Sequence, residues 1–124
     1  MSKKIKDEKR WLFIGRYQPL HPGHCKLIRT VLNEGRKVLV ALRITGIDES
    51  NPYSVNQRRK MFEKEFATEV ENETLRVIAI PDVEGICYGR KVGWQIRQIK
   101  LDDETEAISA TKIRKQDEIK KNKN

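Results

Sequence analysis

The chain has two histidines, His21 and His24, separated only by Pro22 and Gly23. An imidazole can donate a hydrogen bond to a phosphate oxygen, and a glycine beside it lets backbone N–H groups come close to a ligand. The full stretch is Gly15-Arg16-Tyr17-Gln18-Pro19-Leu20-His21-Pro22-Gly23-His24. It joins an apolar run, Trp11-Leu12-Phe13-Ile14, to a helical pattern that opens near Gly23. A strand, a glycine turn and a helix start make a phosphate site, because the first N–H groups are free and the helix end is partly positive. Proline suits the first helical position, so Pro22 and Gly23 should open the helix with both imidazoles at its positive end.

Three other stretches hold residues of the right types. In Glu49-Ser50-Asn51-Pro52-Tyr53-Ser54-Val55-Asn56-Gln57-Arg58, Ser54 can cap a helix whose first turn carries Arg58. A guanidinium placed there can bind a phosphate bidentately. In Ile108-Ser109-Ala110-Thr111-Lys112-Ile113-Arg114, Ser109 would cap a last helix. Ser109, Thr111 and the free N–H groups of that first turn are placed to hold an anion such as a phosphate, and Arg114 lies one turn further on. In Tyr88-Gly89-Arg90-Lys91-Val92-Gly93-Trp94, two glycines bracket two cations, and Trp94 could stack on a ring. Each has a plainer reading as well: a capped helix, a basic helix face, a glycine turn with its tryptophan in the core.

The elements that must position these residues follow from periodicity. Residues 10–14 read as a buried parallel strand, and residues 23–33 as a helix with Leu27, Ile28, Val31 and Leu32 towards the sheet. Gly35 is placed to end that helix. Residues 37–44 form the next strand and complete a βαβ unit. The polar loop 45–54 then lies at a strand's carboxyl end, where open α/β sheets bind ligands. A helix is expected over 55–66, with Val55, Met61, Phe62 and Phe66 inward, and a strand over 75–80. Residues 86–88 and 92–101 read as a short fourth and a fifth strand, the latter anchored by Trp94, Ile96 and Ile99. Residues 108–119 close the fold as a helix. The expected fold is a Rossmann-like, three-layer α/β sandwich with a parallel sheet of about five strands.

At 124 residues this is one domain, read as a polar lead-in over 1–9, the folded unit over 10–115 and a basic tail over 116–124. The chain is 37% hydrophobic and 35% charged, yet its apolar residues cluster into periodic runs, which argues for folding. No window is apolar enough to cross a bilayer, so no membrane partner and a cytosolic location are expected. Cys25 and Cys87 lie far apart, with no C-x-x-C pair to suggest zinc. The net charge of +8 suits a polyanion. Nucleic acid is not the expected one, since aromatics are only 6% of the chain and a stacking platform needs more.

The decapeptide at 15–24 resembles the first signature of the H-x-G-H nucleotidyltransferase superfamily, which includes the cytidylyltransferases and the nicotinamide mononucleotide adenylyltransferases. Residues 49–58 are similar to the N-P-F-T-x-x-E-R stretch of the latter, with Gln57 in place of glutamate, and residues 108–114 resemble the I-S-x-T-x-x-R signature. The resemblance implies transfer of a nucleoside monophosphate from a triphosphate to a phosphorylated small-molecule acceptor, with release of pyrophosphate. It implies catalytic roles for His21, His24 and Arg114, and nucleotide binding by Gly15, Arg16, Tyr17, Gly23, Ser109 and Thr111. Tyr53, Arg58, Arg90 and Trp94 would meet the acceptor. Magnesium would arrive on the triphosphate, with no carboxylate cage of its own, and a homodimer is expected. Arg16 after the first glycine and the Asn51-Pro52-Tyr53 loop lean towards AMP from ATP. The short chain and its Ser109-Ala110-Thr111 ending also resemble the small glycerol-phosphate cytidylyltransferases, so CTP with a phosphorylated alcohol is the alternative. A basic nucleic-acid-binding module and a regulatory protein without turnover are the other classes.

Overall fold

The computed structural model describes residues 9–90 and 93–100. Its elements in chain order are β1 (Arg10–Gly15), α1 (Pro22–Asn33), β2 (Lys37–Ile44), α2 (Val55–Glu65), α3 (Ala67–Glu71) and β3 (Leu75–Pro81). The strands form one sheet in the order β1-β2-β3, and both pairings are parallel. Phe13 pairs with Val40, and Val40 with Val77, so these three side chains share one face.

That face carries the core. Val38, Val40 and Leu42 of β2 are fully buried, as are Ile28 of α1, Phe62 of α2 and Phe66, the residue between α2 and α3. Leu75 and Val31 join them, and Trp11, Phe13 and Val77 pack against the cluster. Both crossovers therefore lay their helices on the same side, as two right-handed connections running in one direction must. On the opposite face Leu12 and Ile78 stay exposed at 47% and 39%.

The helix ends follow local chemistry. Gly35 has φ +78, and its N–H reaches Leu32 O at 3.0 Å, which closes α1. Ser54 caps α2, and Gln57 returns the bond to complete a capping box.

The sheet is smaller than the apolar runs suggested. Residues 86–88 and 93–100 are irregular, so the described residues hold three strands of the expected five. Ile86, Trp94 and Ile96 are exposed at 65%, 74% and 81%, and so anchor nothing. Each stands beside glycines or charges, and among the described residues no strand pairs with it. Ile99 alone packs on the core, beside Arg97, which holds Glu34 with a two-pronged ion pair and lies over the Trp11 ring. Met61 is half-buried outside the core cluster, and the inward place is taken by Arg58. The last helix expected at 108–119 lies outside the described residues. No helix among the described residues is long and apolar enough to cross a membrane.

Candidate active site

The turn between β1 and α1 delivers both histidines to the start of α1. His21 is the N-cap, with extended backbone. Its Nδ1 accepts from Gly23 N–H at 3.1 Å and from His24 N–H at 3.4 Å. His24 returns the bond, its Nδ1 accepting from His21 N–H at 3.3 Å. This is a capping box in which imidazoles replace the usual hydroxyl and carboxylate. The two rings stack, with centroids 3.6 Å apart and planes 20° from parallel.

The hydrogen bonds decide the tautomer. A ring nitrogen that accepts an N–H bond carries no proton, so each neutral ring keeps its proton on Nε2. Both Nε2–H groups then face away from the backbone they cap, and neither has a partner among the described residues. Burial lowers the pKa of His21. Burial first, and repulsion from His21 second, hold His24 down at about 4. Near pH 7 the pair is therefore two uncharged donors at the positive end of a helix.

Tyr17 supports this arrangement from beneath. Its ring meets His24 edge-on at 4.7 Å and Phe62 edge-on at 4.9 Å. It is buried, which raises the pKa of its hydroxyl. Its φ of 51 is the left-handed region, which disfavours side chains, and the ring's burial offsets that cost. A Cβ on Gly15 would come within 3.0 Å of the Tyr17 ring, so the missing side chain makes room for it. Gly15 and Tyr17, expected against the nucleotide, thus sit inside the histidine support. Gly23 is buried in the first turn of α1.

The loop 45–54 stands alongside. Asp48 closes its tip, accepting from Ser50 N–H at 2.9 Å and Asn51 N–H at 2.8 Å. Arg16 is exposed and donates to Asn51 Oδ1 at 3.2 Å. Arg58 departs from expectation: it is fully buried rather than turned to a phosphate. It lies one turn before Phe62 on the inward face of α2. Its Nη1 donates to Arg16 O at 2.7 Å and Arg43 O at 2.8 Å, and its Nε to Ser54 O at 3.2 Å. Those carbonyls lie just past β1, near the end of β2 and at the N-cap of α2, where backbone acceptors need donors. Burial lowers the guanidinium pKa, but an arginine stays charged.

Gln18 is a residue that reading by type passed over. It is 2% exposed, and its amide pairs with Tyr53 in both directions: Nε2 donates to Tyr53 O and Oε1 accepts from Tyr53 N–H, each at 2.9 Å. Its place inside the decapeptide was the only available signal. Tyr53 is half-buried beside the turn through that pairing. Arg90 and Trp94 are exposed, and no hydrogen bond or ring contact joins them to the histidine turn among the described residues. Cys25 is half-buried, and burial raises its thiol to about 11, which leaves it inert. Ser109, Thr111 and Arg114 lie outside the described residues.

Residues 12–78 match the cytidylyltransferase-like family. The chain is 27% identical over 77 residues to the nicotinamide-nucleotide adenylyltransferase of Thermococcus sibiricus, covering 60% of this chain and 41% of that protein. It is 32% identical over 74 residues to the nicotinamide/nicotinic acid mononucleotide adenylyltransferase of Acinetobacter baylyi, covering 58% and 39%. With the nicotinamide-nucleotide adenylyltransferase of Methanococcus aeolicus the identity is 29% over 133 residues, covering 86% and 76%. The chain spans about two fifths of the length of the first two relatives. No solved structure matches it. The parallel βαβ unit, the histidine-capped helix and the match over more than half of its length agree: the chain belongs to the cytidylyltransferase-like family.

Proposed function

We propose that this chain is a nucleotidyltransferase that moves AMP from ATP onto a phosphorylated acceptor of the mononucleotide class. The observation that carries the reading is the pair of uncharged Nε2–H donors at the N-terminus of α1. The acceptor's phosphate oxygen attacks the α-phosphorus. A new P–O bond forms as the bond to the β-phosphate oxygen breaks, and pyrophosphate leaves. The attacking oxygen is already anionic, so no protein nucleophile is required. Catalysis is then positioning plus stabilisation of the charge that builds on the α-phosphoryl oxygens. His21 and His24 supply donors there without adding a net charge that would grip the ground-state triphosphate. Magnesium enters as part of the triphosphate substrate. In this reading Ser109, Thr111 and Arg114 hold the departing pyrophosphate. The adenylyltransferase names of the relatives support the choice of AMP, and their nicotinamide nucleotides support a mononucleotide acceptor.

The test is pyrophosphate release from ATP with nicotinamide mononucleotide, and from CTP with glycerol phosphate, for the parent and for His21→Ser. Serine is a good N-cap, so this change keeps the cap and removes the Nε2 donor. With ATP, kcat should fall about a hundredfold while Tm is kept. A variant that stays within a few-fold of the parent refutes the histidine role. Release from CTP alone reassigns the nucleotide.

A further inference from the structure

We propose that Gln18 is a positioning residue for the acceptor. It locks the loop 45–54 onto the histidine turn, and so sets acceptor affinity separately from triphosphate affinity. The proposal rests on the nucleotidyl-transfer reading for its kinetic arm only.

The argument starts from what ties the two segments together. The loop has little apolar anchorage of its own: Gly46 is exposed, and Ile47 is exposed at 70%. Asp48 holds only the loop's own tip. The Arg16–Asn51 bond is at the surface, where water competes for it. A buried tie is the Gln18 carboxamide, which meets Tyr53 as one rung of a ladder, 35 residues away in sequence. Among side chains that are uncharged near pH 7, a carboxamide sets a donor and an acceptor side by side to match a backbone N–H and C=O. Arg58 reinforces it by clamping Arg16 O, two residues before Gln18, and Ser54 O, directly after Tyr53.

Geometry makes the effect one-sided. Tyr53 directly precedes Ser54, the N-cap of α2, so pinning its main chain fixes where the loop leaves the site. The histidines are held by their own capping box, which makes no bond to Gln18. Loosening the rung should therefore disturb the acceptor side and spare the histidine pair.

The experiment uses Gln18→Ala, Gln18→Met, which keeps the volume if Ala folds poorly, and Gln18→Glu. An ionised carboxylate can still accept from Tyr53 N–H, but it faces Tyr53 O with no proton to donate. Steady-state kinetics should show the acceptor KM raised about tenfold or more, the scale of one buried hydrogen-bonded pair, with triphosphate KM and kcat within about threefold. An acceptor KM unchanged in all three variants, or a fall in kcat without a change in acceptor KM, overturns the proposal. Amide hydrogen exchange decides it independently of any activity. The Tyr53 amide and its loop neighbours should exchange about tenfold faster or more in the Ala or Met variant, with α1 unchanged. Unaltered exchange over 45–54 overturns the lock. If the parent releases no pyrophosphate from any pair, the reaction assignment fails, while exchange still decides the lock.

Discussion

The two nitrogens of each imidazole do separate work at this site. Nδ1 holds the helix start together, and Nε2–H carries the donor that the proposed transfer uses. The division gives stability a pH dependence of definite sign. His24 has a folded-state pKa of about 4, below its ordinary 6.5, so the folded chain resists a proton that the unfolded chain accepts. Its contribution is complete above pH 6.5 and is lost progressively as pH falls towards 4. Protonated Nδ1 could no longer accept from His21 N–H, so the cap opens as the charge appears. Glutamine at the same place completes a capping box and does not titrate. Tm should therefore drop more between pH 7 and pH 4.5 in the parent than in His24→Gln. Parallel curves would show that the ring is not the titrating group.

At the scale of elements, α1 is bounded by opposite devices: a histidine cap at its N-terminus and a left-handed glycine past its C-terminus. Gly35 has φ +78, with open space where a Cβ would go, so a side chain there meets no clash but takes on backbone strain. Gly35→Ala should cost about 1 kcal/mol. The change lies a helix length from the histidines, so Tm should fall while kcat and both KM values hold. A change in kcat would mean that α1 transmits strain along its length to the cap. β1, α1 and β2 were legible in advance to within a residue, because apolar period, cap and glycine stop all act over a few positions. The strands expected at 86–88 and in 92–101 were not. A strand exists only when a neighbour takes its hydrogen bonds, and an apolar run of three residues says nothing about the neighbour.

At the scale of the molecule, the described residues lay their helices on one face of a three-stranded sheet, which makes that core thin. Phe62 sits at its centre, fully buried, stacked 6.1 Å from Phe66 and edge-on to Tyr17. Phe62→Ala should cost about 3–5 kcal/mol, a large part of the roughly 5–15 kcal/mol that holds a typical domain together. It also removes the ring that props Tyr17 under His24. In folded material at low temperature, kcat should therefore fall as well. Denaturant titration with kinetics on the same sample separates the two effects. A loss below about 1 kcal/mol would place Phe62 outside the core.

The sequence by itself determined the pieces whose causes are local. His21 and His24 at a helix start, Ser54 as a cap, Gly35 as a stop and the parallel βαβ unit all depend on residues a few positions apart. Tertiary structure decided which way the polar side chains turn. Arg58 looked like a phosphate ligand, and folding made it a buried internal clamp, because the Arg16 carbonyl it satisfies lies 42 residues away and comes within reach only once β1, β2 and α2 meet. Gln18 was given no role by its type, and it became the rung that joins two loops 35 residues apart. Tyr17 and Gly15 looked like ligand contacts, and packing put one ring into the space the other left open. A side chain's hydrogen-bonding capacity is written in its type, but its partner is chosen by which backbone groups the fold leaves unpaired.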